Sequence, residues 1–95
     1  MRLDLFLKAS RLIVRRSLAQ EFCDAGLVKI NGLAAKSSRE VKRDDEIEIK
    51  RHNRLTRVKV GEVPERKQVS KQNAANLYEI LSEETVAEDL LNQTG

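Results

Sequence analysis

The first residues of the chain have the spacing of an amphipathic helix. Leu3, Phe6 and Leu7 recur at i, i+3 and i+4, which places them on one face of a short helix. That face is predicted to pack against the core. The polar residues between them, Arg2, Asp4 and Lys8, are then expected to point away from it.

A second helix is predicted over about residues 15–24. Its apolar stripe consists of two pairs of residues four apart, Leu18 with Phe22 and Ala19 with Cys23. Arg15 and Arg16 stand at the start of this helix, where the helix dipole disfavours positive charge. A placement that costs stability indicates a functional use. Gly26 follows as the natural left-handed residue to end the helix.

The middle of the chain alternates apolar and polar residues, as half-buried strands do. Strands are predicted over about residues 27–30, 33–36, 46–51 and 55–60, with residues 37–43 as a polar connection. Asn31-Gly32 is a strong hairpin signal, because a type I′ turn needs two positive φ angles. His52-Asn53-Arg54 is interpreted as the link between the last two strands. The pattern predicts an α+β fold, with two N-terminal helices packed on a small antiparallel sheet of three to five strands.

The pattern changes after residue 63, and three regions are predicted: a domain over residues 1–63, a polar linker over 64–73, and a C-terminal helix with an acidic tail over 74–95. Ser70 can cap that helix. Its apolar residues would be Ala74, Ala75, Leu77, Tyr78 and Leu81. Further along, Val86, Leu90 and Leu91 either add one or two helical turns or belong to a disordered end.

Charge is distributed unevenly along the 95 residues, and the net charge of +3 understates this. Five Lys or Arg fall within the first sixteen residues against one acid, Asp4. Residues 73–95 contain five acids and no Lys or Arg, so phosphate would repel this end. A small domain with cations on one face is typical of a protein that binds a polyanion, and RNA is the leading candidate.

Composition excludes several other classes of function. One cysteine, Cys23, cannot form an internal disulfide or a multi-cysteine zinc site, and it is predicted to be buried. His52 has no neighbouring histidine or carboxylate partner, and Asp44-Asp45-Glu46 lacks the spacing of a calcium loop. No apolar run reaches the roughly 20 residues of a membrane span. We therefore expect no enzyme activity, no cofactor and no membrane association, and a cytoplasmic location.

The first 50 residues resemble the S4-type RNA-binding domain. The matching motifs are Arg2-Leu3-Asp4-x-Phe6-Leu7, Arg16-x-x-Ala19, Gly26-x-Val28-x-Ile30-Asn31-Gly32, Lys36, and Val41-x-x-x-Asp45-x-Ile47. The resemblance implies an αL-type fold whose two helices and adjoining loop lie on structured RNA. One departure is Arg43-Asp44, where the family often has Pro-Gly; the strand is expected to survive, but the type of turn is open.

The whole chain resembles the small stand-alone bacterial members of this family that act in ribosome-associated quality control. The similarity includes the opening residues and the segment 74–78. It implies a monomer that binds rRNA of the large ribosomal subunit and peptidyl-tRNA. It also implies a partner on the same subunit, a tailing factor that adds C-terminal alanines to stalled nascent chains.

Seven cations are predicted to contact RNA: Arg2, Lys8, Arg11, Arg15, Arg16, Lys36 and Arg39. Arginine suits this role because its planar fork binds two phosphate oxygens at once. Arg2 and Arg16 match the family's motif and are expected to bind RNA without contributing to folding. The cations of residues 51–59 are instead interpreted as charges that protect an edge strand.

Three alternatives remain open. A heat-shock-type recycling factor binds large subunits that carry nascent chains, but that group tends to have a more basic C-terminal extension. A relative of the pseudouridine synthases or tyrosyl-tRNA synthetases would carry this module as an appendage, but the chain is too short for either catalytic domain. A protein-interaction module would use the acidic helix.

Overall fold

The computed structural model describes residues 1–65 and 69–85. Within these ranges the elements are, in chain order, α1 (Leu3–Ala9), α2 (Arg16–Asp24), β1 (Val28–Ile30), β2 (Leu33–Ala34), β3 (Glu46–Arg51), β4 (Arg54–Val60), α3 (Lys71–Ala74), a 3-10 turn (Ala75–Leu77) and β5 (Tyr78–Thr85). The strands form one antiparallel sheet in the order β2-β1-β3-β4-β5. The predicted combination of two N-terminal helices and a small antiparallel sheet is confirmed.

The core lies between the two N-terminal helices and one face of the sheet. The helices contribute Leu3, Phe6, Leu7, Ala19 and Cys23 to it, and the sheet contributes Val28, Ile30, Ile47, Ile49, Val58 and Val60. Alternation along β3 and β4 turns the intervening residues to the outer face of the sheet. Burial raises the pKa of the Cys23 thiol to about 11, with the charges of Asp4 and Asp24 adding to the effect, so the predicted core residue stays protonated at neutral pH.

Two glycine-containing turns take the form that their sequences predict. At the end of α2, Gly26 has φ +75°, its N–H bonds the Cys23 carbonyl, and the Leu27 N–H bonds the Phe22 carbonyl. This pair of bonds is a Schellman motif, which satisfies carbonyls that the helix end leaves free. Asn31 and Gly32 both have positive φ, and they join β1 to β2 as a two-residue turn.

The turn at Arg43-Asp44 keeps a hydrogen-bonded geometry without the family's Pro-Gly pair. The Asp45 N–H bonds the Lys42 carbonyl at 3.1 Å, and Asp44 has φ +72°, as the third residue of a type II turn requires. The Asp45 carboxylate accepts from the Lys42 N–H and from the Asn31 side chain. Asp44 and Asp45 therefore form a turn, and the strand that follows it, Glu46–Arg51, survives as expected.

The predicted C-terminal helix is wrong for Tyr78–Thr85, which form a strand. Ser70 caps α3 by accepting from the Asn73 N–H at 3.2 Å, and Ala74 and Leu77 are buried, as the helical spacing predicts. Tyr78 then begins β5, which pairs with β4 from Val60 back to Arg54. The long edge of β4 supplies backbone partners that a helix would leave unused, so tertiary pairing overrides the local preference. Val86, Leu90 and Leu91 lie outside the described residues.

Candidate nucleic-acid interface

Asp4 is fully buried, which corrects the expectation that it points away from the core. Its Oδ1 accepts from the Leu5 N–H at 2.8 Å and lies 3.3 Å from the Arg2 Nε. Its Oδ2 accepts from the Arg2 Nη2 and the Arg16 Nε, both at 3.3 Å, and from the Gln20 Nε2 at 2.9 Å. One carboxylate therefore ties the entry of α1 to the first turns of α2.

These contacts keep the Asp4 carboxylate charged. Burial acts to raise its pKa, but hydrogen bonds from Gln20, Arg16 and the Leu5 N–H, together with the charge of Arg2, hold the pKa below its usual value. The Arg2 and Arg16 side chains remain 43% and 41% exposed, so each arginine contacts both a buried anion and solvent. The sequence pattern did not predict these contacts with a buried residue.

The segment after the β1–β2 hairpin runs across the start of α1. The Leu3 N–H bonds the Arg39 carbonyl at 2.8 Å, and the Asp4 N–H bonds the Ser37 carbonyl at 3.1 Å. Arg2 and Glu40 form an isolated bridge beside them. These bonds bring Lys36 and Arg39 to the same end of α1 as Arg2, although more than thirty residues separate them in sequence.

Four of the predicted cations are exposed and unpaired within the described part of the chain, with no side-chain hydrogen bond or ion pair to another described residue. They are Lys8, Arg15, Lys36 and Arg39. The nearby acid Glu40 is occupied by the N-terminal ammonium group at 2.7 Å. We call these four cations, together with Arg2 and Arg16, the helical cation surface; its charges are available to an external anion.

Arg11 departs from this group. It adopts φ +63° at the position where α1 ends, and its side chain donates to the Val69 carbonyl at 3.5 Å. Glycine is the residue that accepts this backbone region without strain. Arg51 also acts on this loop by donating to the Leu12 carbonyl, so it is not simply an outward-facing charge of the sheet.

The outer face of the sheet has cations that are balanced by acids. Arg57 bonds Glu48 at 2.9 Å, and Lys59 lies 3.9 Å from Asp44 and pairs in register with Glu46 and Glu79. The bond to Glu48 also raises the pKa of Arg57. The interpretation of these cations as protection of an edge strand is wrong, because β3 and β4 lie inside the sheet and β4 pairs with β3 on one side and β5 on the other.

The sequence-based prediction of the site did not include Asp4 and Gln20. The available signal was that Asp4 is the lone acid among five cations in the first sixteen residues. Nothing in the spacing indicated Gln20. Across residues 1–65 and 69–85, no group of three or more His, Cys, Asp or Glu side chains could hold a metal ion. No helix in those ranges has the length and apolar character needed to cross a membrane.

Comparison with protein-family models identifies the class of protein to which the chain belongs. The S4 domain model matches residues 1–47, which contain both N-terminal helices, β1, β2 and the first two residues of β3. This is the part of the chain that carries the helical cation surface. The chain is therefore an S4-domain protein.

Full-length relatives then narrow the class to one family. The RQC P-site tRNA stabilizing factor of Streptococcus pneumoniae is 47% identical over 90 residues, covering 95% of this chain and 100% of the relative. The factor of the same name from Bacillus subtilis is 48% identical, covering 93% and 100%. The chain belongs to the family of RQC P-site tRNA stabilizing factors, which confirms the resemblance to stand-alone quality-control proteins.

Solved structures share the complete fold. The Vibrio cholerae Heat Shock Protein 15 structure, described as trimeric, matches with a TM-score of 0.78 at 24% identity, covering 99% of this chain and 93% of that one. The solution structure of a hypothetical protein, HP1423, matches with a TM-score of 0.76 at 32% identity, covering 88% and 100%. The likeness to Heat Shock Protein 15 establishes a common fold.

Proposed function

We propose that this protein is a non-catalytic RNA-binding factor of ribosome-associated quality control. It binds rRNA of the large ribosomal subunit together with peptidyl-tRNA, and in this way supports a tailing factor that adds C-terminal alanines to stalled nascent chains. The observation that carries the proposal is the helical cation surface, in a chain that belongs to the RQC P-site tRNA stabilizing factor family.

The chemistry of this surface suits folded RNA. Its cations are Lys and Arg side chains, whose contacts with phosphate oxygens carry no sequence information. The chain has only two Phe, one Tyr and no Trp, so it has few platforms on which unpaired bases could stack. Recognition by shape and phosphate contacts is the mode that such a surface favours.

The first experiment is recovery of a tagged copy from cells in which translation is stalled. We expect free large subunits with attached tRNA to accompany the tagged protein. Recovery of intact translating ribosomes alone, or of no RNA, would contradict the proposal. Recovery of a protein partner without RNA would favour the interaction-module alternative.

A matched pair of double variants then tests the surface. Arg15→Ala with Lys36→Ala removes two unpaired charges from the helical cation surface. Lys29→Ala with Lys59→Ala removes two exposed charges from the outer face of the sheet. The net charge changes equally, so a difference in binding reports the position of the charges and their pairing with acids. We expect the first variant to lose binding to tRNA-bearing large subunits and the second to retain it; the reverse order would place the interface on the sheet.

Alanine tailing separates the proposed role from that of a recycling factor. Cells that lack the protein should add fewer alanines to a stalled reporter chain, and the wild-type gene should restore them. Unchanged tailing, combined with an accumulation of nascent-chain-bearing large subunits after heat shock, would instead support the recycling role.

A further inference from the structure

Arg2 and Arg16 both contact the buried carboxylate of Asp4, and several of their N–H donors have no partner among the described residues. Arg16 uses only its Nε to contact Asp4, at 3.3 Å, so no other described residue bonds its two terminal nitrogens. Arg2 uses Nε and Nη2 and keeps Nη1. A guanidinium has five N–H donors, so most donors of this pair remain available.

The two guanidinium groups would repel each other without an anion between them. Asp4 removes this repulsion, since the Arg2 Nη2 and the Arg16 Nε both contact the same oxygen, Oδ2. The Asp4 side chain is itself fixed, because Gln20 and the Leu5 N–H occupy its remaining acceptor positions. The three charges sum to a net positive unit, so the set still attracts phosphate.

Holding the two arginine side chains in place before binding favours their affinity for phosphate. An arginine that binds phosphate from a mobile state must lose side-chain freedom, whereas a fixed fork loses less for each hydrogen bond that it forms. We infer that Asp4 is a positioning residue whose buried carboxylate aims the free donors of Arg2 and Arg16 at a common phosphate of the bound RNA. This inference rests on the proposed function and assigns a role that the sequence pattern did not.

The substitution Asp4→Asn tests the inference, because a purely structural role and a positioning role of Asp4 predict opposite changes in RNA affinity. If Asp4 serves only the fold, a folded Asp4→Asn protein gains one unit of net positive charge and should bind RNA equally or more tightly. If Asp4 aims the arginines, affinity should fall about tenfold despite the added charge, as expected for loss of one charge-assisted contact. The magnitude of the slope of log affinity against log salt should also fall by about one.

The measurement uses the full chain, with purified tRNA as one probe and large subunits carrying peptidyl-tRNA as the other. Thermal melts establish that Asp4→Asn is folded at the assay temperature. The arginine Nε–Hε NMR signals of the free protein give a readout of position: signals of Arg2 and Arg16 should be protected in the wild type and broadened in the variant. Equal or tighter binding of both probes by folded Asp4→Asn would overturn the inference.

A second variant keeps the test decisive if Asp4→Asn unfolds. Arg16→Lys retains the charge and an ion pair with Asp4, but it lacks the terminal fork of nitrogens. We expect about a tenfold loss of affinity for both probes with little change in melting temperature. Wild-type affinity would show that charge alone suffices and would reject positioning.

The two probes also separate this inference from the proposed function. If wild-type protein binds tRNA but not tRNA-bearing large subunits, the proposed function fails while the effect of Asp4 is still measured on tRNA. If wild-type protein binds both probes and Asp4→Asn binds them equally well, the positioning role fails while the proposed function stands.

Discussion

Replacing Arg15 and Arg16 separately by alanine should distinguish RNA binding from folding at two adjacent residues. Arg16→Ala removes the Nε contact to buried Asp4, which keeps its bonds from Gln20, the Leu5 N–H and Arg2. A hydrogen bond to a charged group contributes about 1.5–3 kcal/mol. Because the Arg16 side chain is 41% exposed, solvent screening reduces this value to about 1–2 kcal/mol.

Arg15→Ala has no such contact to lose. Arg15 is the N-cap of α2, it makes no side-chain cap bond, and it is exposed. Removing positive charge from a helix N-terminus is favourable by a few tenths of a kcal/mol, on the order of 0.3. The free energy of unfolding should therefore stay within about 0.5 kcal/mol of the wild type, or rise slightly.

Urea and thermal melts measure the difference in stability, and binding to tRNA-bearing large subunits measures function. In a domain of this size about 1 kcal/mol shifts the melting temperature by roughly 4–8 °C, so a loss of about 1–2 kcal/mol should lower the melting temperature of Arg16→Ala by about 4–16 °C, while that of Arg15→Ala should not fall. Both variants should lose roughly tenfold or more in affinity. A melting temperature for Arg16→Ala equal to the wild type would refute the stabilising role of its contact with Asp4, and normal binding by Arg15→Ala would remove it from the interface.

Three further predictions concern the salt dependence of RNA binding, the backbone conformation at Arg11 and the pH dependence of stability. If four to six phosphates are engaged, log affinity for RNA should fall with log salt with a slope of roughly −3 to −5, and a flat titration would exclude phosphate contacts. Arg11→Gly should keep or raise the urea midpoint, because glycine accepts φ +63°, and it should reduce RNA affinity less than Arg15→Ala does, because the Arg11 side chain bonds the Val69 carbonyl; a loss of about tenfold would instead place Arg11 in the interface. Since the pKa of Asp4 is lowered in the folded state, its stabilising contribution is present above about pH 4 and is lost as pH falls through the lowered value. The urea midpoint should therefore drop as pH falls below about 4, and this drop should be smaller in Asp4→Asn; an equal drop in both proteins would assign it to other carboxylates.

Local sequence signals predicted the elements whose geometry is set within a few residues. Asn31-Gly32 and Gly26 determine their turns through backbone conformations that few other residues adopt. The apolar spacing in α1 and α2 identified Leu3, Phe6, Leu7, Ala19 and Cys23 as core residues, and Leu18 and Phe22 as residues that pack partly buried against them. The cap at Ser70 was also predictable, since it needs only a hydroxyl three residues before an amide.

The failures concern contacts between distant parts of the chain. Tyr78 begins a strand because β4 offers an unpaired edge, and no local pattern around residue 78 contains that information. Asp4 is buried because Arg16 and Gln20 approach it from another helix. In each case the partners lie far apart along the chain and meet only through the fold.

The location of acids, more than the number of cations, distinguishes the helical cation surface from the outer face of the sheet. The outer sheet face has several cations, but cross-strand acids such as Glu48 stand beside them and cancel their field at short range. On the helical cation surface the acid that contacts the arginines is Asp4, and it lies beneath them, out of contact with solvent. A phosphate approaching from outside meets the guanidinium groups first, while the carboxylate acts from behind to fix them. Burying this acid therefore gives both a stable junction between two helices and an exposed positive surface.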